Sequence, residues 1–148
     1  MTFNRSIYLS IPCRFLIVIL FCVVWLNLSN SEEAGADVRR AAALGYADGI
    51  ASAILGLVPM CEEGGGFDDR RTELLEEYLV FLVDDFYLYV HANYSAEDSG
   101  ASVQLVLLAY YQTFRPIVSE KAGKAFNRIA VLDPEAASAA QRDAEKVD

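Results

Sequence analysis

The chain has 148 residues, 54% of them hydrophobic, with 12 basic against 21 acidic side chains, a formal net charge of −9 and an isoelectric point near 4.5. A surface so short of lysine and arginine has little with which to displace counterions from a polyphosphate, so nucleic acid and anionic lipid surfaces are poor partners and a basic protein is a better one. With three cysteines and one histidine, paired Glu-x-x-His di-metal motifs cannot be assembled.

At the amino end, Phe15 to Leu28 is an apolar run of 14 residues preceded by Arg5 and Arg14. A bilayer-spanning helix needs about 20 apolar residues, whereas a positive n-region, a short apolar stretch and a small-x-small site describe an export signal. Ser29-Asn30-Ser31 and Ala34-Gly35-Ala36 both supply such a site. An uncleaved anchor reaching back to Ile7 is the alternative, but Pro12 and Arg14 interrupt it. Residues 1–31 therefore read as a signal peptide, and the protein as exported to the periplasm, or else held at the inner membrane by this segment alone. Loss of Arg5 and Arg14 leaves ten of the 12 basic residues against all 21 acidic ones, a charge of −11 on residues 32–148. Those 117 residues suffice for one core.

From Glu32 to Val58, Val38, Ala42, Tyr46, Ile50, Ile54 and Leu57 recur at steps of three or four, which predicts an amphipathic helix stopped by Pro59. Ala41, Ala43, Gly45, Ala47, Gly49 and Ala53 crowd its flanks, so the helix is expected to be buried under a closely approaching neighbour. The stretch Cys61-Glu-Glu-Gly-Gly-Gly-Phe-Asp-Asp-Arg70 follows. Its glycines free the backbone for a reversal, and Asp68 and Asp69 suit the positive end of the next helix. Glu62 and Glu63 have no structural duty, so the loop is a joint by default, and by function an acidic edge (Glu62, Glu63, Asp68, Asp69) for a basic partner. The calcium-loop template fails for want of ligands at alternate positions. Once the signal leaves, Cys61 is an unpaired thiol. It packs as a small hydrophobe, bridges to another chain, or acts as a nucleophile with His91 as its sole base, although nothing brings these two together.

A second helix is predicted from Asp68 or Asp69 to Asn93, with Leu75, Leu79, Leu82, Phe86 and Tyr89 inward and Arg70, Glu73, Glu77 and Asp84 outward. Tyr78 to Val83 is apolar all round, which predicts packing on two sides, within the domain or across a homodimer seam. A third helix is placed after Ser99 and ends before Pro116. Ser119 caps a fourth, with Ala122, Ala125, Phe126, Ile129 and Leu132 inward and Lys121, Lys124 and Arg128 outward. Residues 133–148 open on Asp133-Pro134 but offer little besides alanine to bury, so a frayed helix or disorder is expected. The fold class is thus all-α: a compact bundle of about four helices over residues 32–132, with a weakly ordered helical tail.

G-x-S-x-G, P-loop, H-E-x-x-H and C-x-x-C motifs are absent, and no enzyme, cofactor or metal is expected. Asn93-Tyr94-Ser95 is a glycosylation triplet that matters only in a eukaryotic secretory route. The order and spacing of Ala42-Ala43-Leu44-Gly45-Tyr46-Ala47-Asp48-Gly49-Ile50, Cys61, Tyr78-Leu79 and Ala101 to Phe114 resemble the Rap/Tai family of type VI secretion immunity proteins over about residues 40–116. The resemblance implies a small exported all-helical protein, often dimeric, that binds a cell-wall hydrolase effector, a peptidoglycan amidase, and blocks its active site. It marks Gly45, Tyr46, Gly49, Tyr78, Leu79 and Phe114 as structural motif residues. Where the family pattern has cysteines, this chain has Ala43 and the sequence Phe114-Arg115-Pro116, which implies a lost bridge worth about 2–4 kcal/mol and a domain held by packing alone. A helical structural or stress-related envelope protein without a dedicated toxin is the alternative.

Overall fold

A computed structural model describes the backbone of residues 10–63, 68–115, 117 and 119–146, and the side chains of residues 33, 35–60, 68–115, 117 and 119–146. The protein is all-α, and its described residues form five helices in chain order: α1 Ser10–Glu63, α2 Asp69–Asn93, α3 Ala96–Thr113, α4 Glu120–Leu132 and α5 Pro134–Ala144. It divides into two compact units, Met1–Val38 and Arg39–Asp148. The first, over its described residues, is the opening stretch of α1, which includes the backbone of the apolar run 15–28. The side chains of that run lie outside the described residues.

In the second unit, α1 buries Ala43, Ala47, Ile50, Ala51 and Ile54. The segment Gly35–Met60 is long and apolar enough to cross a membrane, with a mean hydropathy of 1.6. Its buried stripe belongs instead to the same core as Leu79, Val83 and Phe86 of α2, and withdrawing it into lipid would uncover them.

Two expectations for α1 are corrected. Pro59 does not stop the helix, which runs on to Glu63. The proline removes one N–H and displaces the carbonyl four residues back, but Leu55 there is 47% exposed, so water can take that carbonyl so near the helix end. Nor is α1 buried throughout. Ala41, Gly45 and Gly49 face outward, and a Cβ added at Gly45 or Gly49 would meet nothing within 4 Å.

Helix α2 starts where its sequence says it should. Asp68 takes the extended backbone of an N-cap and its Oδ1 accepts from the Arg71 N–H at 2.8 Å. Leu75, Leu79, Leu82, Phe86 and Val90 form its inner face. Helix α3 begins four residues earlier than expected, because Ser95 and not Ser99 is the cap: its Oγ accepts from the Asp98 N–H, and the Ser99 hydroxyl bonds back to the Ser95 carbonyl at 2.8 Å. Ser119 caps α4, and Ala122, Ala125, Phe126 and Ile129 point inward as their spacing predicts. Tyr110 of α3 stacks on Phe126 with ring centroids 3.8 Å apart.

The tail is helical but packed, which raises the expected four helices of the bundle to five. Asp133 Oδ1 accepts from both Glu135 and Ala136 N–H at 3.0 Å, and Pro134 occupies the first turn. Ala136, Ala140 and Ala144, four residues apart, are buried as α5 lies against α3, and Gln104 Nε2 donates to Asp143 across that contact. Alanine buries little area per residue, but it lets two helices approach closely.

Helix α2 packs on α4, and α3 on both α4 and α5. Phe86, Phe114, Phe126, Leu79, Leu107 and Ile129 are fully buried at the centre. At about 1.5–3 kcal/mol for each such side chain, this core supplies most of the stabilising free energy.

Candidate functional site

The surface singled out by sequence is the acidic edge between α1 and α2. Cys61, Glu62 and Glu63 close the backbone of α1, but their side chains, like the three glycines, lie outside the described residues. Asp68 and Asp69 are described and part company in role. Asp68 is occupied by structure: besides capping, its carboxylate has the Arg71 guanidinium 3.9 Å away and its carbonyl accepts from the Thr72 N–H and hydroxyl, each at 2.9 Å. Asp69 is exposed in the first turn. One and two turns on, Glu73 and Glu77 are exposed as well, and none of the three is in an ion pair among the described residues. They extend the acidic edge as a column along α2, at the four-residue spacing that puts side chains above one another. Sequence reading had Glu73 and Glu77 on the outer face without joining them to the loop.

The outer basic residues of α4 are largely spoken for within the chain. Lys124 pairs with Glu120 at 2.7 Å, and Arg128 reaches Asp84 on α2 at 2.6 Å while its guanidinium lies 4.7 Å from the Tyr87 ring centroid. Of these, Arg128 ties α4 to α2, whereas Lys124 pairs within its own helix.

A second set of groups gathers where α1 meets α2 and the start of α3. The Tyr46 hydroxyl donates to Asp85, and its ring lies 4.3 Å from Tyr89, whose hydroxyl in turn meets that of Tyr94 at 2.9 Å. Burial first, and then the hydrogen bond to a carboxylate, push the Tyr46 phenol up to about 12, so it stays a donor at any physiological pH. Nearby, Arg39 Nε donates to Asp98 Oδ2 at 2.9 Å and Arg40 Nε stands 3.9 Å from Oδ1. The Arg39 hydrogen bond holds the Asp98 carboxyl below its usual range, against the opposing pull of burial. These are clamps between helices. Among the described residues, no three His, Cys, Asp or Glu side chains come together as a metal ion would require.

The motif residues fall into three kinds. Tyr46 is a polar clamp at the α1–α2 seam, Leu79 and Phe114 are wholly buried, and Gly45, Gly49 and Tyr78 are exposed. Sequence reading missed Arg39, Asp85 and Asp98, because ion pairs and hydrogen bonds spanning 39 and 59 residues leave no local signal. No family model matches the chain, and no curated protein or solved structure matches it.

Proposed function

We propose that this is an exported immunity-type binding protein that sequesters a peptidoglycan-degrading amidase by occluding its active site. The family resemblance carried by Gly45-Tyr46, Gly49, Tyr78-Leu79 and Phe114 supplies the class. The observation that carries the binding mode is the exposed carboxylate column Asp69, Glu73, Glu77, which follows Glu62 and Glu63 across the glycine-rich stretch and is set on a chain already strongly acidic. Complementary charge of this kind speeds encounter and fixes register more than it deepens affinity. Cys61 has no chemical role in this reading. The apolar run 15–28 and its small-x-small site support delivery to the periplasm, where such an effector acts.

The test is capture from periplasmic extract followed by association kinetics with the captured hydrolase. Changing Glu62, Glu63, Glu73 and Glu77 to glutamine keeps size and hydrogen bonding while removing four charges. Association should slow about tenfold or more at low salt and lose most of its salt dependence, with the melting temperature nearly constant. Cys61→Ser should bind as the parent does. Capture of no cell-wall hydrolase, or unchanged association kinetics in the glutamine variant, overturns the proposal.

A further inference from the structure

Where the end of α3 meets α4 and α5, an open cleft of about 280 Å³ is lined by Tyr110, Tyr111, Arg115, Gly123, Asn127 and Gln141. None of these belongs to α1 or α2, so the cleft is separate from the acidic column. Its floor holds a polar atom that the fold leaves unused. Tyr110 is only 6% exposed and its ring stacks on Phe126, yet its hydroxyl makes no hydrogen bond among the described residues. A hydroxyl taken out of water without a partner costs free energy unless something arrives to meet it. Gly123 keeps that oxygen within reach, since a Cβ there would meet only the Tyr110 hydroxyl, at 3.7 Å. At the rim stands Arg115, exposed, its guanidinium 5.7 Å from the Tyr111 ring centroid and in no ion pair among the described residues. Arg39 and Arg128 are tied to Asp98 and Asp84, but Arg115 is left to a ligand.

From this arrangement we infer that the cleft binds the C-terminal end of a short peptide, its free carboxylate on Arg115 and the Tyr110 hydroxyl and its last side chain against the Tyr111 ring. The chemistry of the lining selects that class. Arg115 offers a planar fork of N–H donors that matches a carboxylate. Burial pushes the Tyr110 phenol above its usual range, so the hydroxyl keeps its proton and donates. The Asn127 amide, exposed and in no hydrogen bond among the described residues, is a third donor. Gln141 supplies the complementary acceptor. Its Nε2 donates to Glu145 at 3.2 Å, which occupies that carboxylate and leaves the Gln141 Oε1 to accept a peptide N–H. A bare phosphate or sulfate would leave that oxygen and the Tyr111 ring without a contact, and a nucleotide would bring more charge than one guanidinium neutralises. The volume, just below the roughly 300–1,000 Å³ usual for small-molecule sites, suits two residues better than a long chain.

Isothermal titration of the protein as recovered from cells with N-acetyl-dialanine, in its D,D and its L,L form, tests this. At least one form should bind with a dissociation constant of about 0.1 mM. The tighter form names the source, a cell-wall peptide for D,D or a protein tail for L,L, and either supports the site. The same peptide closed as its C-terminal amide should bind about tenfold more weakly or worse, because the ion pair is gone. Gly123→Ala should weaken binding about tenfold without lowering the melting temperature, since its methyl fills the space over the Tyr110 hydroxyl and alanine favours the helix. Tyr110→Phe separates site from scaffold. It keeps the stack on Phe126 and removes a hydroxyl the fold does not use, so it should melt no lower than the parent while binding about fivefold more weakly. Arg115→Gln should bind weakest of all. Binding of neither peptide at about 2 mM, equal affinity for acid and amide, or undiminished affinity in Gly123→Ala and Tyr110→Phe overturns the inference.

Discussion

Asp98 shows how one side chain sets an edge of the folded unit. It is 8% exposed, caps its own helix through Ser95, and receives Arg39 from a position 59 residues earlier in the chain. Because the Arg39 hydrogen bond lowers its folded pKa, its contribution to stability is complete above the ordinary carboxylate value of about 3.9 and is lost as pH falls through the lower folded value. The melting temperature of the parent should therefore decline as the pH falls below about 4. Asp98→Asn should melt lower than the parent at pH 7, and the gap between the two should narrow as the pH falls below the ordinary carboxylate value. Asp143, held low by Lys146 and then Gln104, titrates with the same sign and leaves the variant some residual acid sensitivity. Melting curves across this range check the prediction, and a gap that does not shrink at low pH would remove Arg39 and Asp98 from the account.

Helix α5 is the element for which composition and outcome part. A tail of alanine, serine and charge predicts fraying by its small buried area per residue, but area is not the only term. Asp133 satisfies two of the helix's free N–H groups, and alanines at 136, 140 and 144 seat the helix close to α3. Asp133→Ala should cost about 1–2 kcal/mol of global stability, the usual cost of losing an N-cap, and Ala140→Leu about 1–3 kcal/mol by overpacking the α3–α5 contact. Urea unfolding at constant slope measures both, and near-zero effects would describe a tail that does not contribute to the fold. Elsewhere the elements were legible to the extent that their signals are local. Asp68 and Ser119 announced the starts of α2 and α4, and the inward residues of both helices follow from spacing alone. Ser95 was passed over as the α3 cap because Ser99, four residues on, matches the same pattern. Only Asp98, placed to share the Ser95 hydroxyl, tells them apart. The exposed apolar face of α2 was visible as an excess of apolar residues between Tyr78 and Val83, but its extent from Leu74 to Leu88 needed the core in place to show which residues the core does not use.

At the scale of the whole chain, the described contacts of the folded unit begin just past the middle of α1. Arg39 and Arg40 reach Asp98, and Ala43 is the first residue buried in the core. A cut after Ser31, or after Ala36, falls ahead of all three and leaves the unit Arg39–Asp148 its clamps and its core. Signal processing requires an extended chain at the scissile bond, and Asn30 and Gly35 ease that opening, each being weaker in helix propensity than alanine by about 0.7–1 kcal/mol. Intact-mass analysis of the exported protein should therefore find a chain beginning near Glu32, with the helical content and melting temperature that the core dictates. Replacing Ser29, Ser31, Ala34 and Ala36 with leucine removes both small-x-small sites and lengthens the apolar run toward spanning length. That variant should stay uncut and sediment with the membrane while its domain still folds, because no residue changed belongs to the core. A parent chain recovered from the membrane with Met1 in place would make the run an anchor and the proposed immunity protein a tethered one.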